Sequence, residues 1–300
     1  MKLLNLIFFY GALIPISRLP FRVLYVISDC LYFILYKALG YRKSVVIRNI
    51  TNSFPHKSNE EHIQLMSDFY RHLCDLTVEN IKVFTISEKE LSLHFKFINP
   101  EFIDRYYDQG RSVIMALGHL NNWELTAVSI AKSIKHQPIA LYRPFTNKFF
   151  DAKMRESRSR YGLKMIPTRQ TWEEFNKGEG LRAIVFAFDQ SPVNPKKCYW
   201  GTFLNQDTAM NFGVEKYSKA YNYPVIYGRI NKVKRGHYTY EFTEVIEAPQ
   251  SEYGYITQRV NDLLEQDILK TPQYWLWSHK RWKYKRPVDQ VLTHQGTARE

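Results

Sequence analysis

The apolar positions of this chain change their period twice. Residues 3–39 are almost continuously apolar, in two runs from Leu3 to Ile16 and from Val23 to Leu39, interrupted by Ser17-Arg18-Leu19-Pro20-Phe21-Arg22. Between residues 60 and 84, Leu65, Phe69, Leu73, Leu76 and Phe84 recur at helical spacing, which predicts one long helix. From residue 95 onward, short apolar runs alternate with helical stretches. Strands are predicted over Phe95 to Ile98, Ser112 to Leu117, Pro138 to Tyr142, Leu181 to Phe188 and Pro224 to Ile230, with helices near 122–134, 147–161 and 207–221. Such alternation predicts an α/β fold, a mainly parallel sheet flanked by helices. Tyr238 to Val245 alternates like a strand with one wet face and predicts an antiparallel edge. Gln250 to Leu269 reads as a late helix, and Val288 to Glu300 as a loose tail. The expected division is a membrane-anchoring helical segment over 1–45, an α/β domain over 46–287 and a flexible tail over 288–300.

Neither amino-terminal run supplies the roughly 20 apolar residues of a spanning helix. No small-residue cleavage site follows a short apolar core, so a removed signal peptide is not expected. An uncleaved anchor, or a helix pair embedded in one leaflet, fits better, with a buried amphipathic hairpin as the competing reading. Lys37, Arg42, Lys43 and Arg48 follow the second run; if the segment crosses or dips into a bilayer, they place the main body on the cytoplasmic side.

Charge sharpens this picture. Lysine and arginine total 42 against 29 acidic residues, a surplus of +13 that asks for an anionic partner. The chain carries no paired Cys/His zinc spacing and no aromatic RNA-binding strand motif, so an anionic membrane surface is expected rather than nucleic acid. Cys30, Cys74 and Cys198 are too few and too scattered for a disulfide framework or a metal site, which points to a reducing compartment.

The densest chemistry lies in Ser112-Val-Ile-Met-Ala-Leu-Gly-His-Leu-Asn-Asn-Trp-Glu124. A predicted strand ends in Gly118, His119 follows, and Glu124 opens a predicted helix. A carboxylate beside an imidazole fixes its tautomer and stabilises its charged form. On one regular helix the two would stand about 140° apart, so they pair only if His119 lies in the turn and Glu124 in the first helical turn. Asn121-x-x-Glu124 also fits a helix capping box, which would give Glu124 a structural task, and a histidine satisfied within the fold competes with the catalytic reading. Arg143 follows a predicted strand at the same edge, and Arg155, Arg158 and Arg160 crowd the next helix; arginine suits bidentate binding of phosphate, and a solvated basic face is the alternative. Asp189-Gln190 ends another apolar strand at the edge where α/β sheets bind ligands. Trp200-Gly-Thr-Phe-Leu204 reads as core or as lining of an apolar path. The aromatic and basic residues of Trp275 to Arg286 read as a membrane-interface segment.

Taken together and in order, these blocks resemble the lipid A late acyltransferases. His119-x4-Glu124 is similar to the His-x4-Asp/Glu signature of glycerolipid and lipid A acyltransferases. Arg48-Asn49-Ile50 with Phe54-Pro55, Tyr142-Arg143-Pro144 with the arginines and Tyr161-Gly162, Phe188-Asp189-Gln190 with Trp200–Leu204 and Thr208-Ala209, and Tyr274–Trp282 resemble the family's other blocks. Glutamate at the fifth position, and no Glu-Gly-Thr-Arg block, favour the lipid A branch over the glycerol-phosphate branch. The resemblance implies transfer of a fatty acyl chain from an acyl thioester to a hydroxyl of a lipid A precursor. The implied donor is acyl carrier protein, with acyl coenzyme A as the alternative, and no bound cofactor is implied. It gives His119 the role of general base, assisted by Glu124, with the oxyanion held by backbone amides near 118–123 or an arginine. Arg143, Arg158, Arg160, Asp189 and Gln190 are the implied substrate-binding residues. Two alternatives remain at this stage: acylation of another lipid, such as a lysophospholipid or an acylated amino acid, and a basic membrane-surface binding protein without catalysis.

Overall fold

Val113–Leu117 alternates its side chains between two cores, as a central strand must. Ile114 and Ala116 face one core, and Val113 and Met115 the other. The computed structural model describes residues 2–178, 180–195, 198–247 and 251–287. The expected tail, 288–300, lies outside them. The chain runs α1 (Leu3–Arg18), α2 (Phe21–Ala38), α3 (Lys43–Ser53), α4 (Asn59–Lys82), α5 (Glu88–His94), β1 (Phe95–Phe97), α6 (Glu101–Asp108), β2 (Val113–Leu117), α7 (Trp123–Ser129), β3 (Gln137–Tyr142), α8 (Lys148–Ser159) and β4 (Lys164–Pro167). It continues through α9 (Thr171–Asn176), β5 (Arg182–Ala187), β6 (Tyr199–Phe203), β7 (Gln206–Met210), α10 (Gly213–Tyr221), β8 (Val225–Lys234), β9 (His237–Ile246) and α11 (Tyr255–Lys270).

Seven strands form one sheet in the order β1-β9-β8-β2-β5-β3-β4, parallel at every pairing except β8 with β9. This is the expected α/β architecture with two corrections. The strand at 237–246 is antiparallel as expected but does not form the edge: Phe95–Phe97 pairs on its outer side and buries Phe95. The helix expected over 207–221 starts only at Gly213, because Gln206–Met210 pairs with Tyr199–Phe203 as a hairpin. Its turn residues Leu204 and Asn205 both adopt positive φ, the backbone signature of a tight hairpin.

No single helix among the described residues is long and apolar enough to cross a membrane; α1 and α2 qualify only as a pair bent by 119°. Phe9, Phe21, Leu24 and Tyr36 bury one side of this pair, while Leu3, Leu4, Ile7, Phe8, Val26, Phe33 and Leu39 stand exposed on the other. Polar bonds dock the inner side: Ser28 donates to Asp75, Tyr25 to Glu79, and Lys82 to the carbonyl of Leu19.

Candidate active site

Register brings the site together. β2 and β5 are neighbouring parallel strands whose last matched pair is Leu117 with Ala187. Two residues further on, at the carboxyl edge where such sheets bind ligands, stand His119 and Asp189. The imidazole Nδ1–H donates to Asp189 Oδ1 at 2.6 Å, and the backbone N–H of His119 donates to Oδ2 at 2.9 Å. Trp275 Nε1–H adds a third donor to Oδ2 at 2.8 Å. The side-chain amide of Gln190 lies 3.2 Å from His119 Nε2, so the tautomer that satisfies both neighbours carries its proton on Nδ1 and a lone pair on Nε2. Gly118 leaves room for α11: a Cβ there would lie 2.6 Å from the Leu264 side chain.

Burial opposes charge on this imidazole, but the field and hydrogen bond of Asp189, helped by the field of Glu124, outweigh it and hold His119 above its ordinary value. Burial likewise works against the Asp189 carboxylate, and the field and bonds of His119 hold it below its usual range. The pair is therefore built to stabilise an imidazolium once one forms.

Glu124 is placed differently from the expectation. It lies in the first turn of α7, but Arg158 at the end of α8 takes its carboxylate in a fork, Nε to Oε2 at 2.8 Å and Nη2 to Oε1 at 2.5 Å. Trp123 Nε1–H also donates to Oε1. The partner that orients His119 is thus Asp189, and Glu124 acts on the ring through its field. The capping-box reading of Glu124 also falls: Asn122, not Asn121, caps α7 by accepting from the N–H of Leu125, while Asn121 takes a positive φ and bonds the carbonyl of Ile230. Side chains of Arg158 and Glu124 are 17% and 6% exposed, so the ion pair is largely out of water. Arg158→Met is expected to lower unfolding free energy by about 3 kcal/mol in denaturant titration, because it strands a buried carboxylate. A loss under about 1 kcal/mol would show that water reaches Glu124.

The remaining predicted residues divide. Arg143 follows β3 and lines the same cavity as His119. Gln190 and Arg158 line the same cavity. Arg160 does not reach it; its guanidinium donates to the carbonyls of Phe84 and Ile86 and fastens the turn after α4. Arg155 pairs with Asp151. The backbone amides of His119 and Asn121 are already bonded, to Asp189 and to the carbonyl of Tyr274, so neither is left for an oxyanion. Trp200–Leu204 lies in β6 and the core, away from the cavity. The closing segment folds partly into the core, while Lys280, Lys283 and Lys285 stay exposed. Trp275, Trp277 and Arg281 are buried, Trp282 donates to Thr208, and Asn49 ties the segment down by bonding the carbonyls of Trp277 and His279. Asn211, unmarked by any sequence pattern, donates to the carbonyls of Phe188 and Gln190 and so fixes the loop that presents Asp189. Among the described residues no group of three or more His, Cys, Asp and Glu is placed to hold a metal.

Below His119 the cavity, of about 440 Å³, runs between α7 and one sheet face. Its wall is apolar, with Met115, Ile130, Leu163 and Met165, and the small side chains Ala127, Ala140 and Ala187 keep it open. At the His119 end the lining turns polar, with Glu124, Arg143, Arg158, Gln190 and Asn211. A chain of methylenes fits the wall, and a polar reacting group fits the rim.

This combination of an oriented histidine and an apolar cavity agrees with the comparison to known proteins. The family described as bacterial lipid A biosynthesis acyltransferase matches residues 3–284. The chain belongs to the bacterial lipid A biosynthesis acyltransferase family. It is 24% identical over 276 residues to the lipid A biosynthesis palmitoleoyltransferase of Escherichia coli strain K12, covering 90% of this chain and 88% of the relative. The lipid A biosynthesis acyltransferase of Shigella flexneri matches with the same identity and coverage. As a member of the lipid A acyltransferase family the chain is an enzyme of acyl transfer, which sets aside the reading as a binding protein without catalysis.

Proposed function

We propose that this acyltransferase moves a fatty acyl chain from the thioester of acyl carrier protein to a hydroxyl of a lipid A precursor. The observation that carries the reading is His119, oriented by Asp189 and opening onto an apolar cavity. An alcohol is a weak nucleophile near neutral pH, so a base must take its proton as it attacks. His119 Nε2 accepts the hydroxyl proton as the substrate oxygen bonds to the thioester carbon. The imidazolium then gives that proton to the sulfur as the C–S bond breaks. Asp189 and Glu124 stabilise the imidazolium between the two transfers. Asp189 thereby takes the ring-orienting role first given to Glu124, and Glu124 fixes Arg158 at the rim. Arg143 and Arg158 face the anionic acceptor or the developing oxyanion.

Acyl carrier protein is favoured as donor by the basic surplus of the chain, with acyl coenzyme A as the alternative. The exposed apolar side of α1 and α2 lies in the cytoplasmic leaflet of the inner membrane, with the α/β body on the cytoplasmic side. Segments 1–45 and 46–287 then serve as membrane-embedded helices and catalytic domain.

The test is a transfer assay with purified protein, acyl carrier protein loaded with chains of graded length and, as acceptors, a lipid A precursor or a lysophospholipid, read by mass spectrometry. Transfer to the lipid A precursor is expected; transfer to the lysophospholipid alone would move the acceptor. Ala127→Leu narrows the cavity and is expected to lower kcat/KM for the longest accepted chain by about tenfold or more while sparing shorter ones. Equal loss at every length would place the acyl chain elsewhere.

A further inference from the structure

Glu79, on α4, is fully buried and far in sequence from every block discussed so far. Its carboxylate is the meeting point of three elements. Tyr25 of α2 donates to Oε1 at 2.8 Å. Tyr238 of β9 donates to Oε2 at 2.9 Å, and Asn122 Nδ2–H donates to Oε2 at 2.6 Å. Asn122 is also buried, and its own side-chain oxygen caps α7 through the N–H of Leu125. That cap closes the turn that carries His119 and starts the helix that carries Glu124. A single buried carboxylate therefore joins the active-site turn to the exposed amino-terminal helix pair.

A carboxylate in this place is costly to keep. Burial pushes the Glu79 carboxyl up to about 7, against the pull of its three donors and with Asp75 nearby adding to the rise. Apolar residues of similar volume would fill the space without that cost. The carboxylate does something apolar packing cannot: it accepts from three elements at once and fixes their relative position.

We propose that Glu79 is a positioning residue for acyl transfer, which holds the His119 turn through Asn122 and ties it through Tyr25 to the seating of α1 and α2. The inference rests on the functional reading above. It means that the helices expected to enter the lipid surface are mechanically part of the active site, so that undocking α2 loosens the turn.

The experiment uses the full chain in detergent or lipid vesicles, with two readouts. One is backbone hydrogen exchange over residues 119–126, which needs no substrate; the other is kcat and KM for acyl transfer. Glu79→Leu removes the acceptor that Asn122, Tyr25 and Tyr238 share. It is expected to speed exchange over 119–126 and to lower kcat between about tenfold and a hundredfold with KM little changed, the pattern of a displaced reacting group. The exchanged pair Glu79→Gln with Asn122→Asp restores the contact in reverse: the glutamine amide donates to the aspartate, which still caps Leu125. Both readouts are expected to return toward wild type. Tyr25→Phe leaves Asn122 and Tyr238 in place and is expected to move both readouts the same way by a smaller factor.

Unchanged exchange in Glu79→Leu, or faster exchange with unchanged kcat, would overturn the positioning role. A loss that the exchanged pair fails to restore would do the same. Tyr25→Phe without effect on either readout would overturn the link to the helix pair. Wild-type protein that transfers no acyl group would defeat the functional reading and this inference with it, and the exchange data would show that the failure lay in the reaction rather than in the bonding.

Discussion

His119→Ala is expected to lower kcat for acyl transfer by about three orders of magnitude, the scale of losing a general base. Binding should survive, because the apolar wall and the rim arginines are untouched, so KM should change little. The fold should survive as well. The side chain is 15% exposed, and the turn is held by backbone bonds from His119 to Asp189 and from Asn121 to the carbonyl of Tyr274. Asp189 keeps two of its three donors, the His119 amide and the Trp275 indole. Steady-state kinetics with a circular dichroism melt separates the effects. A rate within about tenfold of wild type in a folded variant would remove His119 from the chemistry.

Asp189→Asn carries the second large effect, a fall in kcat between about a hundredfold and ten-thousandfold. An asparagine of the same shape turns an amide hydrogen toward Nδ1 or leaves a weaker acceptor there. Either way, the tautomer with its lone pair on Nε2 is no longer enforced, and the imidazolium loses its main counter-charge. The pH profile supplies the sign. The base acts when neutral, so wild-type activity rises as pH climbs through the value of His119, which lies above the ordinary imidazole value. Removing the Asp189 charge removes its largest upward influence and leaves burial to lower it. The acid limb of kcat/KM should therefore move to lower pH in Asp189→Asn. Glu124→Gln should shift the limb in the same direction by less, because its field is the smaller contribution. A larger shift in Glu124→Gln would return the orienting role to Glu124.

These two residues also show what the sequence could and could not disclose. The strand before His119 was legible because five consecutive apolar residues, buried on both faces, leave little else to be. The helix after it was legible from its own periodicity, and Arg143 from its place after a strand. Asp189 was visible as a residue at a strand end, but its partner was not. The bond to His119 spans 70 residues and follows from which strands are neighbours and in which register, neither of which is written locally. Glu124 drew the pairing because it is close in sequence; Arg158, arriving from α8, took its carboxylate instead. The burial of Trp275, Trp277 and Arg281 was hidden for a similar reason. Alternating aromatic and basic residues suit a membrane surface equally well as a segment folded back into the core, and only the bonds from Asn49 and to Asp189 decide between them. The hairpin of β6 and β7 was lost because its turn is Leu204-Asn205, without the glycine that advertises such turns. Glu79 gave no signal at all, being one acidic residue on a long amphipathic helix.

The most direct test of the central claim is lipid mass spectrometry of cells lacking this protein, complemented with wild-type chain or with His119→Ala. The expected result is one acyl mass missing from lipid A, restored by wild type and not by His119→Ala expressed at the same level. Lipid A unchanged by the deletion, or full restoration by His119→Ala, would contradict it.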